Sequence, residues 1–337
     1  MPDQLQVLLL VTVVIAVTFD FTNGFHDTAN AIATSVSTRA LRPNQAVILS
    51  AVLNLVGAVV TVYFFHAKVS NTIAKLLAFK IGLVVIIAAL LGAIAWNLLT
   101  WYAGLPSSST HAFIGGLLGA GTAASGGLAA IQWSVVGSVL LGLVISPPVG
   151  FLAAAIFMTL VYLTLRRARP APLNRIFRYL QVLTAALVSY SHGSNDAQKT
   201  MAAISLALVA AGALPKFEVP LWVVVLSAAT IAFGTYAGGW RIIRTLGWRI
   251  YKLEPATGMG AQLMGATVIQ AATQLGIPVS TTHVITGSVM GAAAPRRLTA
   301  IRWGVGANIV AAWLVTIPAA ALIAWVAYAI LHTAKLG

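Results

Sequence analysis

Gly104-Leu105-Pro106-Ser107-Ser108-Ser109-Thr110-His111 recurs as Gly276-Ile277-Pro278-Val279-Ser280-Thr281-Thr282-His283, an offset of 172 residues. From Gly104 to Ala120, eight of seventeen positions match residue for residue. Both copies set a proline and a run of hydroxyls inside otherwise apolar sequence. A second pair, Gly24-Phe25-His26-Asp27 and Gly193-Ser194-Asn195-Asp196, recurs at an offset of 169 and shares only its Gly and its Asp near the centre. The two offsets differ by three residues in a chain of 337, so one duplicated unit accounts for both. Each half then contributes one Asp in an apolar setting and one hydroxyl-rich turn, the pattern of a secondary transporter built from repeats.

Composition places that pattern in a membrane. The chain is 59% hydrophobic and 8% charged, with a mean hydropathy of +0.93, whereas soluble domains are about 25% charged. Apolar runs of about 20 residues, the length that crosses a bilayer, recur along almost all of it. The formal charge of +14 lies in short loops between these runs rather than on an amphipathic face or a tail, which argues against nucleic acid as a partner. With no Cys there are no disulfides, thiolate metal sites or Cys nucleophiles. Residues 4–19 follow Asp3 rather than Lys or Arg and run on into the Asp27 motif, so they read as a first span and not a signal peptide.

The expected fold is an all-α polytopic membrane protein made of inverted-topology repeats, with broken helices and two re-entrant helical hairpins. Residues 1–165 form the first repeat, 166–178 a basic cytoplasmic loop and 179–337 the second repeat. Spans are expected at 4–38, 44–65, 131–165, 179–213, 219–240 and 303–331, and hairpins at 81–121 and 256–294. With Arg39 and Arg42 inside, fourteen basic residues fall on the cytoplasmic side and five outside: Lys68, Lys75, Lys80, Lys216 and Lys335. Lys199 is left within the membrane, and both termini face the exterior. Three positions fit an inverted duplication. Basic 39–42 has its counterpart in 215–218 on the opposite side, uncharged 121–130 matches Pro295-Arg296-Arg297, and Pro147/Pro148 match Pro318.

Two chemical readings follow. The Asp-bearing segments 4–38 and 179–213 exceed one crossing, so a break is expected at Gly24 and at Gly193. Intramembrane carboxylates are costly and mark function. In the hairpins, Pro106 and Pro278 interrupt the incoming helix, and the hydroxyls that follow can cap a half-helix starting near His111 or His283. Unpaired N–H groups at such a helix start, with Ser and Thr donors beside them, suit a tetrahedral oxyanion.

Gly24-Phe25-His26-Asp27-Thr28-Ala29-Asn30-Ala31, Ser191-His192-Gly193-Ser194-Asn195-Asp196 and the two Gly-x-Pro-x-Ser-[Ser/Thr]-Thr-His turns resemble the inorganic phosphate transporter (PiT) family, in its bacterial low-affinity branch. The resemblance spans nearly the whole chain. It implies a homodimeric phosphate symporter of the plasma membrane, driven by sodium ions or protons, with no cofactor and no resident metal; bacterial members are also associated with neutral metal–phosphate complexes. It places Ser107, Ser108, Ser109, Thr110, Ser280, Thr281, Thr282 and Asn195 around phosphate. Asp27, Asp196, Asn30, His26 and Lys199 would handle the coupling ion, with His111 and His283 in support. The family's sodium-coupled pattern, G-x-N-D-x-A-N-A, has Asn where this chain has His26 and again where it has Lys199. An ammonium beside Asp196 fills the niche of a sodium ion, and an imidazole changes charge near neutral pH, so proton coupling is expected.

A carrier of sulfate or another tetrahedral oxyanion would use the same hydroxyl cradle. The Asp pair favours phosphate, since monohydrogen phosphate keeps a donor that a carboxylate accepts and sulfate has none. Two carboxylates in the path argue against an anion channel. A membrane-embedded hydrolase would need a motif such as HExxH or GxSxG, which the sequence lacks.

Overall fold

The computed structural model describes residues 2–78 and 81–334, so Lys80 and Lys335 lie outside the described residues. The described chain is almost wholly helical: α1 (Pro2–Ser37), α2 (Pro43–Phe65), α3 (Lys68–Ala74), α4 (Leu83–Tyr102), α5 (Ser109–Ser125), α6 (Trp133–Thr164), α7 (Pro170–Ala210), α8 (Leu221–Ala237), α9 (Trp240–Arg244), α10 (Pro255–Gln274), α11 (Thr281–Ala293) and α12 (Trp303–Thr333). Five of these are long and apolar enough to cross a bilayer, and α8 with the turns after it makes a sixth, bent by 60°. The exposed Leu, Val, Phe and Trp side chains along α2, α6 and α12 suit lipid rather than water.

Two apolar cores flank a polar middle layer. The first gathers Phe19, Ala58, Leu90, Phe113, Val139, Met201, Ile231 and Ala320. The second gathers Ala29, Val47, Met158, Val188, Ile242, Ile269, Val284 and Ile309. Along α1 the chain leaves the first core at Phe19 and enters the second at Ala29, with Asp20 to Thr28 between. Along α7 the order is opposite: Val188 belongs to the second core and Ala197 to the first. The same reversal separates α6 from α12, and hairpin α4–α5 lies in the first core while hairpin α10–α11 lies in the second.

The Asp-bearing helices correct the sequence reading. Neither breaks: α1 runs for 36 residues and α7 for 41. Gly24 and Gly193 serve a different purpose, close helix approach. A Cβ on Gly24 would lie 2.5 Å from the Ile231 carbonyl oxygen of α8, and one on Gly193 only 2.1 Å from the Asn54 carbonyl oxygen of α2. Gly234 and Gly57 make the reciprocal contacts with Phe21 and Tyr190. The helix breaks fall instead at the hairpin tips and after α8. A second correction concerns the basic loop, because α7 starts at Pro170, with Pro in its first turn, and carries Arg175 and Arg178 on its opening turns.

The halves interlock rather than stand side by side. Gly115 and Gly119 of α5 rest on Ile317 and Ala321 of α12, and Gly287 and Gly291 of α11 rest on Pro147 and Phe151 of α6. The hairpin turns are clasped crosswise. Thr72 donates to the Gly276 carbonyl at 2.7 Å and Lys68 to that of Gln274 at 2.9 Å. In the other half Thr245 donates to Gly104 at 2.9 Å and Arg241 to Tyr102 at 2.7 Å. Gly104 and Gly276 have φ of +66° and +73°, the left-handed region that a glycine adopts without strain, so both can close a helix at this turn.

Candidate functional site

The hairpin tips meet in the polar layer. Ser108 and Ser280 are the N-caps of α5 and α11, each accepting from the backbone N–H three residues on, at 3.1 Å from His111 and 3.2 Å from His283. The helices therefore begin two residues before the histidines. Thr110 donates to the Val279 carbonyl across the tips at 3.0 Å. The His111 and His283 rings lie 4.4 Å apart, and His283 stacks on Trp313 at 3.8 Å.

Capping commits Ser108 and Ser280 to the backbone and leaves Ser109 of the first tip, and Thr281 and Thr282 of the second, facing the carboxylates. Ser109 donates to Asp27 Oδ2 at 2.8 Å and Thr282 to Asp27 Oδ1 at 3.2 Å. Thr281 lies 3.4 Å from Asp196 Oδ2. Ser107 sits aside, sharing a 2.7 Å hydrogen bond with Thr100. Val279, where the first turn has Ser107, supplies only its carbonyl.

The two halves fill this frame with matching residues. Asn30 donates to Thr282 at 2.9 Å and approaches Thr281 at 3.4 Å. Its counterpart at the 169-residue offset, Lys199, donates to Ser109 at 2.8 Å and Thr110 at 3.3 Å, and to Asp196 Oδ2 at 2.9 Å. His26 bridges Asp27 Oδ1, 2.8 Å away, and Thr100, 3.3 Å away; its counterpart Asn195 donates to Thr273 at 2.8 Å. Both carboxylates thus have an imidazole neighbour, for His192 Nε2 lies 3.3 Å from Asp196 Oδ2.

Every one of these side chains is buried, Asp196 and Lys199 completely. Breaking such a pair would strand a charge at a cost of about 3–5 kcal/mol. Asp27, His192 and Asp196 bring potential ligand atoms within 4.8 Å of one another, a geometry that attracts a cation. The Lys199 ammonium already supplies that charge from the chain itself. Chemically, the site offers hydroxyl donors, two helix N-termini and one ammonium to an anion, and two carboxylates that accept from a protonated oxyanion.

Sequence reasoning singled out Asp27, Asp196, Asn30, Lys199, His26, Asn195 and both hydroxyl runs, and the structure brings these to one layer. It quoted His192 within a motif without assigning it a role, and missed Asn23 and Asp20. The signal was present for Asn23 and His192, which pair at the same 169-residue offset as the two Asp residues, and Lys199 Nζ lies 3.4 Å from Asn23 Oδ1. Asp20 is an acidic residue in an apolar run, seven before Asp27 on the same helix face.

Comparison with known proteins bears on the same residues. Residues 23–324, from Asn23 through both hairpins, match the model of the phosphate transporter family. A probable low-affinity inorganic phosphate transporter of Bacillus subtilis (strain 168) is 44% identical over 98% of this chain and 99% of its own length. One of Rhizobium meliloti (strain 1021) is 47% identical over 95% of this chain and 96% of its own. A solved structure, described as the sodium-dependent phosphate transporter, superposes with a TM-score of 0.89 at 25% identity, covering 97% of this chain and 99% of that one. The paired carboxylates and hydroxyl-capped hairpins are carried on a chain that belongs to the phosphate transporter family, a multi-pass membrane protein and not an enzyme.

Proposed function

We propose that this chain imports inorganic phosphate across the plasma membrane by alternating access, driven by protons rather than sodium. The observation that carries the coupling is Lys199. Its ammonium spans Asp196 and the Ser109 and Thr110 hydroxyls, at the place where its counterpart Asn30 offers a neutral amide. A sodium ion beside Asp196 would meet like-charge repulsion in a poorly screened interior. Phosphate would lie between Ser109, Thr110, Thr281 and Thr282, with its P–OH donating to Asp27 or Asp196.

The opposite order in which α1 and α7 pass through the two cores supports an inverted repeat of 1–165 and 179–337, with both termini extracytoplasmic on the balance of basic loops. Movement of the two hairpins apart, breaking the Thr110–Val279 contact, then opens the site to one side at a time. Homodimerisation rests on the family resemblance.

Sodium symport is the second reading, favoured by the sodium dependence of the phosphate transporter whose solved structure superposes on this chain. The test is uptake of labelled phosphate by proteoliposomes with sodium replaced by choline at fixed pH gradient. Uptake that persists supports protons, and uptake that stops supports sodium. Added divalent metal distinguishes free phosphate from a neutral metal–phosphate complex as the substrate. Changing His26 to Gln should lower proton-driven uptake, because that imidazole holds Asp27 Oδ1 at 2.8 Å.

A further inference from the structure

One buried carboxylate has no part in the site described. Asp20 lies on α1, wholly buried, and neither of its oxygens has a hydrogen-bond partner. Two groups beside it are equally buried and unsatisfied, Asn23 Nδ2 and Thr200 Oγ1. Both are donors turned to the carboxylate, so its immediate partners are two neutral groups and no cation in ion-pair contact. The repeat offers no counterpart: the equivalent position is Ser189, whose hydroxyl is satisfied by the Ala185 carbonyl at 2.8 Å. The carboxylate therefore occurs once in the molecule, as does Lys199, and the two are neighbours.

The charges that face Asp20 are Lys199 and Asp196, both from α7. Of the other helices packed along α1, α2, α4, α8 and α10 carry no Asp, Glu, Lys, Arg or His between their ends, while α9 carries Arg241 and Arg244 and α11 carries His283. An ionised carboxylate faced only by two neutral donors and in no ion pair is costly in such a setting, so Asp20 holds either a proton or the ammonium. Lys199 is positioned to decide. It reaches toward Asp20's face through Asn23 at 3.4 Å, while its shorter bonds go to Asp196 and Ser109.

We propose that Asp20 carries the coupling proton, taking it up when phosphate draws Lys199 to the hydroxyl cradle and releasing it when the ammonium swings back toward the carboxylate. The transferred species is one proton between water and the Asp20 carboxylate, and nothing else changes bonding. Phosphate at Ser109 and Thr110 and a proton at Asp20 then favour each other through one shared ammonium, which is the requirement for symport.

This inference rests on the proton-driven reading, and the experiment separates the two. Purified protein is reconstituted in sodium-free liposomes and assayed for exchange of internal for external labelled phosphate and for accumulation under an imposed inward proton gradient. Wild type should accumulate roughly tenfold per pH unit for each proton carried. Asp20→Asn, which mimics the protonated acid, should keep exchange but lose accumulation, and Asp20→Glu should keep both with a displaced pH profile. If wild type ignores the proton gradient, the proton-driven reading falls and this proposal with it. If wild type responds and Asp20→Asn accumulates as well as wild type, this proposal alone falls. Loss of exchange in both variants, with protein correctly inserted, would make Asp20 structural and overturn it. Should Asp20→Asn fail to insert, an unchanged pH profile in Asp20→Glu would overturn it equally.

Discussion

Asn30 and Lys199 occupy corresponding places in the two halves and make corresponding contacts, yet one presents a neutral amide and the other a full positive charge. Asn30 meets Thr282 and Thr281 of hairpin α10–α11, and Lys199 meets Thr110 and Ser109 of hairpin α4–α5. The equivalent contacts are 2.9 against 3.3 Å and 3.4 against 2.8 Å. What differs is the electrostatics laid on them, and the difference is confined to a few positions: Asn30 against Lys199, His26 against Asn195, Asn23 against His192, Asp20 against Ser189. A duplicated scaffold can hold two equal carboxylates while assigning the cation to one side only. In a proton-driven carrier that asymmetry replaces a bound metal ion with a side chain and leaves a proton as the mobile charge.

The strongest way to break this comparison is to remove each carboxylate in turn. Asp27→Asn and Asp196→Asn should each reduce labelled-phosphate uptake more than about a hundredfold, since each strands buried donors. If either variant transports at full rate, the halves are not equivalent at the carboxylates. Next in size, Lys199→Asn gives the second half the chemistry of the first. Sodium-free uptake should fall about tenfold to a hundredfold through loss of charged hydrogen bonds, and added sodium should restore part of it. Uptake of this variant that stays at wild-type level without sodium would show that the ammonium is irrelevant.

The hydroxyls sharpen the comparison further. Ser109→Ala and Thr281→Ala, equivalent by the repeat, should each weaken phosphate binding about tenfold, measured by calorimetry in detergent. Ser108→Ala and Ser280→Ala should instead leave affinity near wild type and lower thermal stability by about 1 kcal/mol, the worth of an N-cap. Affinity loss in the cap pair and none in the other would invert the assignment. On stability, packing weighs more than the caps: Gly24→Ala and Gly193→Ala press a methyl on the opposite helix backbone and should each destabilise by about 1–3 kcal/mol. A much milder effect at Gly193 than at Gly24 would contradict the tighter helix approach there.

The sequence alone located the apolar helices, the two hydroxyl-rich turns and most of the polar layer, because apolar runs, Pro-Ser turns and lone carboxylates are strong local signals. It misjudged Gly24 and Gly193, since a glycine that relieves a backbone bend and one that admits a neighbouring helix look alike in a single chain. The neighbour at Gly193 is Asn54, 139 residues away, and only the folded packing names it. His192 and Asn23 required pairing by offset rather than by motif. The crosswise clasps of Lys68 on Gln274 and Arg241 on Tyr102 join opposite halves of the chain, and no local pattern announces them.

The central claim is that phosphate moves with protons and without sodium. It is tested most directly by labelled-phosphate accumulation in proteoliposomes under independently imposed proton and sodium gradients, with labelled sulfate run in parallel. Proton coupling predicts phosphate accumulation under an inward proton gradient in choline buffer, no added effect of a sodium gradient, and little uptake of sulfate. Accumulation that requires the sodium gradient and ignores the proton gradient would contradict it.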